Sequence, residues 1–318
     1  MLEPYYFLQD PFEGCGMANV GSTCYASAVL QVLLNYCSNH LLLYWYATLQ
    51  AIFCLPGLTL TPGMDHLRSI LRQPEANEPE LLFAACLKFF VEESPILENG
   101  MLRFPIGTQH DAVEFLEEML DKIVSLGQTL GTLKISEQTE HTCTACKNSF
   151  PIPPATNHML FVSLPPFQAT KKKRADQPIS DLGNLVNDVA KPSYTNKHCQ
   201  HCDEDAPGVQ QVEWTPSELL IINLKRYDAQ GRKNRSIVST PLALQIKDQT
   251  FVLCSQLDHE GDSPTKGHYV THVFRNEKVV TFDDMEAVVP PEGVNVRVSD
   301  KSYILFYKRV DVNTDEVR

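Results

Sequence analysis

Two Cys-x-x-Cys pairs, Cys143 with Cys146 and Cys199 with Cys202, constrain the fold of this chain more than any other feature. Each pair has the spacing of a metal knuckle, and together they supply the four thiolates of a closed tetrahedral site. The long gap between them requires a fold that brings two hairpin tips together. Four ligands leave no open position, so the implied metal is structural: one zinc ion. Disulfides and free thiols are the plainer alternatives. Ten cysteines in 318 residues are too sparse for a disulfide scaffold. Met1-Leu2-Glu3-Pro4 has neither the basic region nor the long apolar run of a secretory signal. We therefore expect a reducing compartment, cytoplasmic or nuclear, with cysteines used for metal and chemistry. His141 and His201 lie beside the pairs and are the runner-up ligands.

At 43% hydrophobic residues the chain can bury a sizeable core. Its net charge of −12 argues against nucleic acid as a partner, which wants a basic face, and suits a basic partner instead. From Gly14 to Met64 there is no charged side chain, and Leu41 to Leu60 is long enough to span a bilayer. Thr48, Gln50, Pro56 and Gly57 interrupt that run and basic flanks are missing, so a buried helix ending at Leu55-Pro56-Gly57 is expected and no membrane span.

Apolar residues at Ala28, Val29, Val32, Leu33 and Tyr36 predict a helix after Cys24. Thr108 to Asp111 has the form of a capping box ahead of Ala112, Phe115, Leu116, Met119, Leu120 and Ile123, a one-faced helix with a charged back. Pro79 to Val91 predicts another helix. The character then changes: Leu219–Leu224, Phe251–Leu257, Tyr269–Phe274, Val279–Phe282 and Tyr303–Tyr307 read as strands, with a polar turn at Arg275 to Lys278. Pro165 to Lys191 is polar, and its Lys171-Lys172-Lys173-Arg174 reads as a solvated loop before it reads as an import signal. Helices first and strands after predict an α+β protein, with helices packed on an antiparallel sheet.

Cys24 is the candidate nucleophile. It follows a turn, Asn19 to Thr23, in which Ser22 or Thr23 caps the coming helix, and the positive end of a helix dipole favours a thiolate there. Alone, it would be one more structural cysteine. His268, after Gly267, is the candidate base, which takes the thiol proton and returns it to a leaving amine. Asp283 is the candidate orienter of that ring, with Asp284 as the alternative. Asn19 carries a side-chain amide suited to an oxyanion.

Together these residues resemble the ubiquitin-specific protease family of cysteine deubiquitinases over nearly the whole chain. Gly16 to Tyr25 with Leu30-Gln31 looks like the family's cysteine box, and Gln109 to Leu116 like its Gln-Asp box. Leu224-Lys225-Arg226-Tyr227 resembles its Leu-Lys-Arg-Phe strand. Gly267-His268-Tyr269 with Phe282-Asp283-Asp284 looks like its histidine box, and Tyr303 to Tyr307 like its closing strand. The resemblance implies a single papain-like catalytic domain over residues 1–318: a helical thumb (1–125), zinc-tipped β fingers (126–215) and an antiparallel-sheet palm (216–318). It implies a deubiquitinase that cleaves at the C-terminal glycine of ubiquitin, Asn19 in the oxyanion hole, and Gln109, Asp111, Glu114 and Tyr269 near the channel for the ubiquitin tail. No organic cofactor is implied. A monomer is expected, with an accessory protein allowed; a protease for another ubiquitin-like modifier, or a ubiquitin-binding scaffold, are the alternatives. Ser22 stands where the family usually has Asn, Ser27 where Asn is common, Val279-Val280 where an aromatic pair is frequent, and Tyr227 where it has Phe.

Overall fold

The computed structural model describes residues 19, 22–36, 103–105, 107–125, 135–167, 177–199, 201–275 and 278–310. The charge-free stretch beyond Tyr36, the Pro79–Val91 helix, the Lys171–Arg174 run and the middle of the Arg275–Lys278 turn lie outside them. Among the described residues, no helix is long and apolar enough to cross a membrane.

Helix α1, Cys24–Tyr36, begins where the Thr23 carbonyl accepts from the Ala26 and Ser27 amides at 3.0 and 2.9 Å. Its residues from Cys24 to Val32 are all buried, as expected of a helix enclosed on every side. Helix α2, Ala112–Ser125, is the one-faced helix the periodicity predicts, with Ala112, Phe115, Leu116, Met119 and Leu120 buried and Glu114 and Asp121 exposed. Its cap differs from the expected box. Asp111 is the capping residue: its carboxylate accepts from the Val113 amide at 2.8 Å and its carbonyl from Phe115 at 3.1 Å. Thr108 lies in the turn before it. A carboxylate one residue from the helix outcompetes a hydroxyl four residues away for the free amides of the first turn. Tyr25 and Phe104 each pack edge to face on Phe115 and are tilted against each other, with ring centroids 5.3–6.2 Å apart.

The strands form three sheets. β1 (Ile135–Cys143), β2 (Ser149–Asn157), β5 (Ser193–Cys199) and β6 (Glu204–Thr215) make a four-stranded antiparallel sheet in the order β2-β1-β6-β5. The large sheet takes β3 (Leu160–Ser163), β7 (Leu219–Lys225), β9 (Ala243–Ile246), β10 (Gln249–Ser263), β11 (Lys266–Arg275), β12 (Lys278–Asp283), β13 (Glu286–Val288) and β15 (Ser302–Val310). Its order is β13-β12-β11-β10-β15-β7-β3, with β9 beside β10. It is antiparallel except at β3–β7, which run parallel. β4 (Ile179–Asp181), β8 (Ile237–Ser239) and β14 (Val298–Ser299) form a small third sheet. All five predicted strands are present. β7 and β15, neighbours in the interior of the sheet, are buried from Leu219 to Leu224 and from Ser302 to Tyr307.

Two segments differ from expectation. Within the polar stretch read as a solvated loop, Leu182–Val189 forms helix α3, capped by Asp181, whose carboxylate accepts from the Asn184 amide at 2.9 Å. Leu182 and Val186, one helical turn apart, are buried against the large sheet's core. β3 and α3 fall inside the 126–215 span expected to form fingers, yet both pack with the large sheet.

Arg226, directly after β7, is 1% exposed and spends its guanidinium on its own chain. Nε donates to the Ser302 carbonyl, one terminal nitrogen to the Asn234 and Ser236 carbonyls at 3.0 and 2.9 Å, and the other to Ser299 O at 3.3 Å and Ser302 Oγ at 3.2 Å. Burial pulls its pKa down to about 10, so it remains a cation at neutral pH. Arg226→Met leaves those carbonyls buried and unpaired, with an expected loss of about 3–5 kcal/mol in a denaturant titration. Arg226→Lys, lacking the planar fork, should recover less than half of that loss.

Candidate active site

Cys24 opens α1 and is 3% exposed, in a small cleft lined in part by Ser27, Gln31, Tyr269 and Asp284. The turn before it is held by Asn19, whose Oδ1 accepts from the Thr23 amide at 3.0 Å. Ser22 within that turn has φ of 57°. Asn tolerates this left-handed conformation far better than other L residues, which gives a physical reason for the family's preference at this position.

His268 arrives from the other end of the chain, on β11. Gly267 before it has φ of 145°, and a Cβ there would strike the Glu260 carbonyl and lie 2.8 Å from His259 Nε2. Gln109, on the segment leading into α2, grips this glycine twice: its Nε2 donates to Gly267 O at 2.7 Å and its Oε1 accepts from Gly267 N at 3.1 Å. His268 Nε2 lies 2.5 Å from Asp283 Oδ1. Its hydrogen bond with Cys24 raises its pKa most; burial lowers it, Asp283 raises it again, and the result is about 9. Asp284 does not share this ring. With φ of 48° it turns away, and its Oδ2 accepts from Asn19 Nδ2 at 3.2 Å. Its Oδ1 is buried and has no partner among the described residues.

The structure thus brings Cys24, His268, Asp283, Asp284 and Asn19 together. A thiol, a ring bonded to it and a carboxylate on the ring can generate a nucleophile and return its proton to a leaving group. Gln109, Asp111 and Tyr269, expected along a substrate channel, are engaged within the protein. Asp111 accepts from Tyr303 Oη at 2.8 Å, and burial raises its carboxyl to about 6. Tyr269 Oη donates to Pro264 O at 2.9 Å and accepts from the Ala112 amide at 3.4 Å. Glu114 is exposed. Two residues with no role predicted from sequence also converge behind the site: His259, which is fully buried, and the Tyr227 hydroxyl bonded to its Nδ1. The signal that marks them is the pair Gly261 and Gly267, which leaves room for the imidazole.

At the far end of the four-stranded sheet, Cys143, Cys146, Cys199 and Cys202 place their sulfurs within 4.8 Å of one another. Cys143 Sγ to Cys202 Sγ is 3.9 Å and Cys146 Sγ to Cys199 Sγ is 3.6 Å. A zinc ion with Zn–S bonds of about 2.3 Å has a tetrahedral edge of about 3.8 Å, so the residues fit the group. Each knuckle closes in the same way: Lys147 N donates to Cys143 O at 3.0 Å and Asp203 N to Cys199 O at 2.8 Å. Both Lys147 and Asp203 have positive φ, 62° and 56°. Backbone amides of Cys202 and His201 bond to the Cys199 sulfur, and the Cys202 amide is the main reason its thiol is held down at about 6. His141 and His201 are not part of the cluster. His141 points across the sheet at Gly208, where a Cβ would collide with its ring, and packs 5.1 Å from Phe150.

The family model for "Ubiquitin carboxyl-terminal hydrolase" matches residues 15–307. Relatives include "Ubiquitin carboxyl-terminal hydrolase 24" of Arabidopsis thaliana, 26% identical, covering 93% of this chain and 64% of its own length. Another is "Ubiquitin carboxyl-terminal hydrolase 17-like protein 15" of Homo sapiens, 26% identical, covering 92% of this chain and 53% of its own length. The chain thus spans between a half and two thirds of these relatives. Among solved structures, the SAGA Ubp8/Sgf11/Sus1/Sgf73 DUB module bound to ubiquitin aldehyde aligns with a TM-score of 0.68 at 19% identity, over 96% of this chain and 71% of that one. The fold is therefore the papain-like one expected.

Elemental analysis of the purified chain should find about one zinc per molecule. Cys143→Ser should abolish that stoichiometry and lower the thermal midpoint, because metal binding and folding of the knuckles are one event. Full stability without metal would rule the site out.

Proposed function

The chain belongs to the ubiquitin carboxyl-terminal hydrolase family, and we propose from that premise that it is a thiol-dependent deubiquitinase acting at the C-terminal glycine of ubiquitin. The observation that carries the reading is the unbroken run of contacts from Cys24 to His268 to Asp283. Cys24, as thiolate, attacks the glycine carbonyl. The carbonyl oxygen becomes an oxyanion beside Asn19, whose amide is steadied by Thr23 on one side and Asp284 on the other. The C–N bond breaks as the imidazolium of His268 gives its proton to the departing lysine amine. The thioester is then hydrolysed by a water that gives its proton to His268, and the ubiquitin carboxylate and the thiol are regenerated. Asp283 keeps the ring oriented and its cation stabilised. A zinc ion held by Cys143, Cys146, Cys199 and Cys202 would supply the cross-link between the two finger tips, where the chain offers only a small cluster of the cysteines and Phe150. Ubiquitin, or proteins carrying it, is the proposed partner.

Ubiquitin bearing a C-terminal electrophile should label the wild-type chain and leave Cys24→Ala unlabelled. Labelling by a probe built on another modifier, with none by the ubiquitin probe, would move the assignment to that modifier. Binding of ubiquitin with no labelling would reduce the chain to a scaffold.

The proton held by His268 sets the alkaline limit. Its folded value, about 9, lies above the unperturbed 6.5, so the charged ring is present below 9 and is lost as pH rises through it. Turnover should fall on the alkaline side with a midpoint near that value. Asp283→Ala should lower kcat by about two to four orders of magnitude and move the midpoint down. Asp284→Ala should leave the midpoint in place and lower kcat by about tenfold to a hundredfold, through Asn19. The reverse ranking would exchange the two roles.

A further inference from the structure

The buried Tyr227–His259 pair does not belong to the reacting set, yet it occupies the space directly behind it. His259, on β10, is fully buried, and its Nδ1 is bonded by the Tyr227 hydroxyl. Its ring lies 4.4 Å from the Tyr269 ring, centroid to centroid. A Cβ on Gly267 would come 2.8 Å from its Nε2, and one on Gly261 2.8 Å from its Cε1. The imidazole therefore bears on Gly267 and Tyr269, the two residues that flank His268. From the opposite side Gln109 holds Gly267 by both backbone groups. The backbone that carries His268 is pinned between these two contacts.

The electrostatics match a spacer. Burial, Lys233 and His268 hold His259 down to about 3, so the ring is neutral across the working pH range and adds no charge beside the imidazolium. Burial pushes the Tyr227 hydroxyl above its ordinary range, so it remains a donor. Lys233 Nζ donates to the His259 carbonyl at 2.6 Å, which fixes the backbone of the same residue. Tyr303 packs against both rings, 5.6 Å from Tyr227 and 6.2 Å from His259. A phenylalanine at position 227 would keep the packing and lose the bond.

We infer that Tyr227 and His259 form a positioning pair: the hydroxyl fixes the orientation of a neutral imidazole, and that imidazole fixes Gly267 so that His268 meets Cys24 and Asp283 together. This rests on the proposed function for its kinetic readout but not for its structural one. The charged and titratable groups around His268 are Cys24 on α1, Asp283 at the end of β12, Asp284 in the turn that follows it, Glu260 and His259 on β10, and Lys266 on its own strand. Only the first two raise its proton affinity through hydrogen bonds, and both bonds need the ring in place.

The test uses the zinc-loaded full chain, as wild type, Tyr227→Phe and His259→Leu. Titration of the His268 ring followed by NMR of histidine-labelled protein requires no substrate. Cleavage of a ubiquitin C-terminal fluorogenic amide supplies kcat and KM. In either variant the His268 midpoint should fall from about 9 toward 6.5 by at least about half a unit. At the same time kcat should fall about tenfold with KM within about twofold, as expected when only alignment of the reacting groups is lost. If Tyr227→Phe does not fold, His259→Leu carries the same expectation. A folded variant whose His268 midpoint is unmoved overturns the inference, even if kcat drops. A wild-type chain that titrates as expected but cleaves no ubiquitin amide overturns the proposed function and leaves the pair to be judged on the titration alone.

Discussion

Cys24 and His268 reach the site from opposite ends of the chain, one on a helix and one on a strand. Everything chemical here depends on the register between those two elements. Thr271 Oγ1 donates to the Ala28 carbonyl at 3.0 Å and ties β11 to α1. The Gln109 grip on Gly267 and the Asp111–Tyr303 bond tie β11 and β15 to the start of α2. All three contacts use polar groups at the seam between helices and sheet, and a shift of an ångström would leave them unmade, at the greatest cost for the buried Thr271 hydroxyl. Apolar packing holds the lobes together but tolerates sliding; these hydrogen bonds do not.

The palm and the fingers solve a similar problem with different means. In the palm one guanidinium joins two stretches far apart in sequence: Arg226 satisfies the Asn234 and Ser236 carbonyls in one and the Ser299 and Ser302 carbonyls in the other. At the finger tips there is too little apolar area to hold two turns together, and four sulfurs converge instead. A cation serves the first place, and a zinc ion on those sulfurs would serve the second in the same way. Loss of either leaves electronegative atoms crowded together without a counterweight.

Much of this was legible in the sequence because it rests on period and spacing. The central strands are continuous apolar runs, α2 keeps one face apolar, and the Cys-x-x-Cys pairs announce their own geometry. The features that were not legible depend on direction. Asp283 and Asp284 are adjacent carboxylates, and only the left-handed turn at Asp284 decides which one meets His268. His141 sits two residues from Cys143, on the same strand, yet points into the sheet at Gly208 instead of at the sulfurs. Helix α3 is a short apolar stripe in a polar stretch, and its stability comes from the Asp181 cap and from packing that the sequence does not display. The departure at Tyr227 reads on paper as a trivial exchange of one aromatic for another. In three dimensions its extra oxygen reaches the only imidazole, among the described residues, that lies against Gly267.

Gly261 and Gly267 face each other across the β10–β11 turn with no room for a side chain on either. Neither carries a reactive group, so neither would be suspected from a search for catalytic chemistry. Replacement at either position is nonetheless a replacement of the wall behind His268. Among the described glycines only Gly208 is as tightly enclosed, so a side chain at position 261 or 267 would have to push aside the backbone that carries His268.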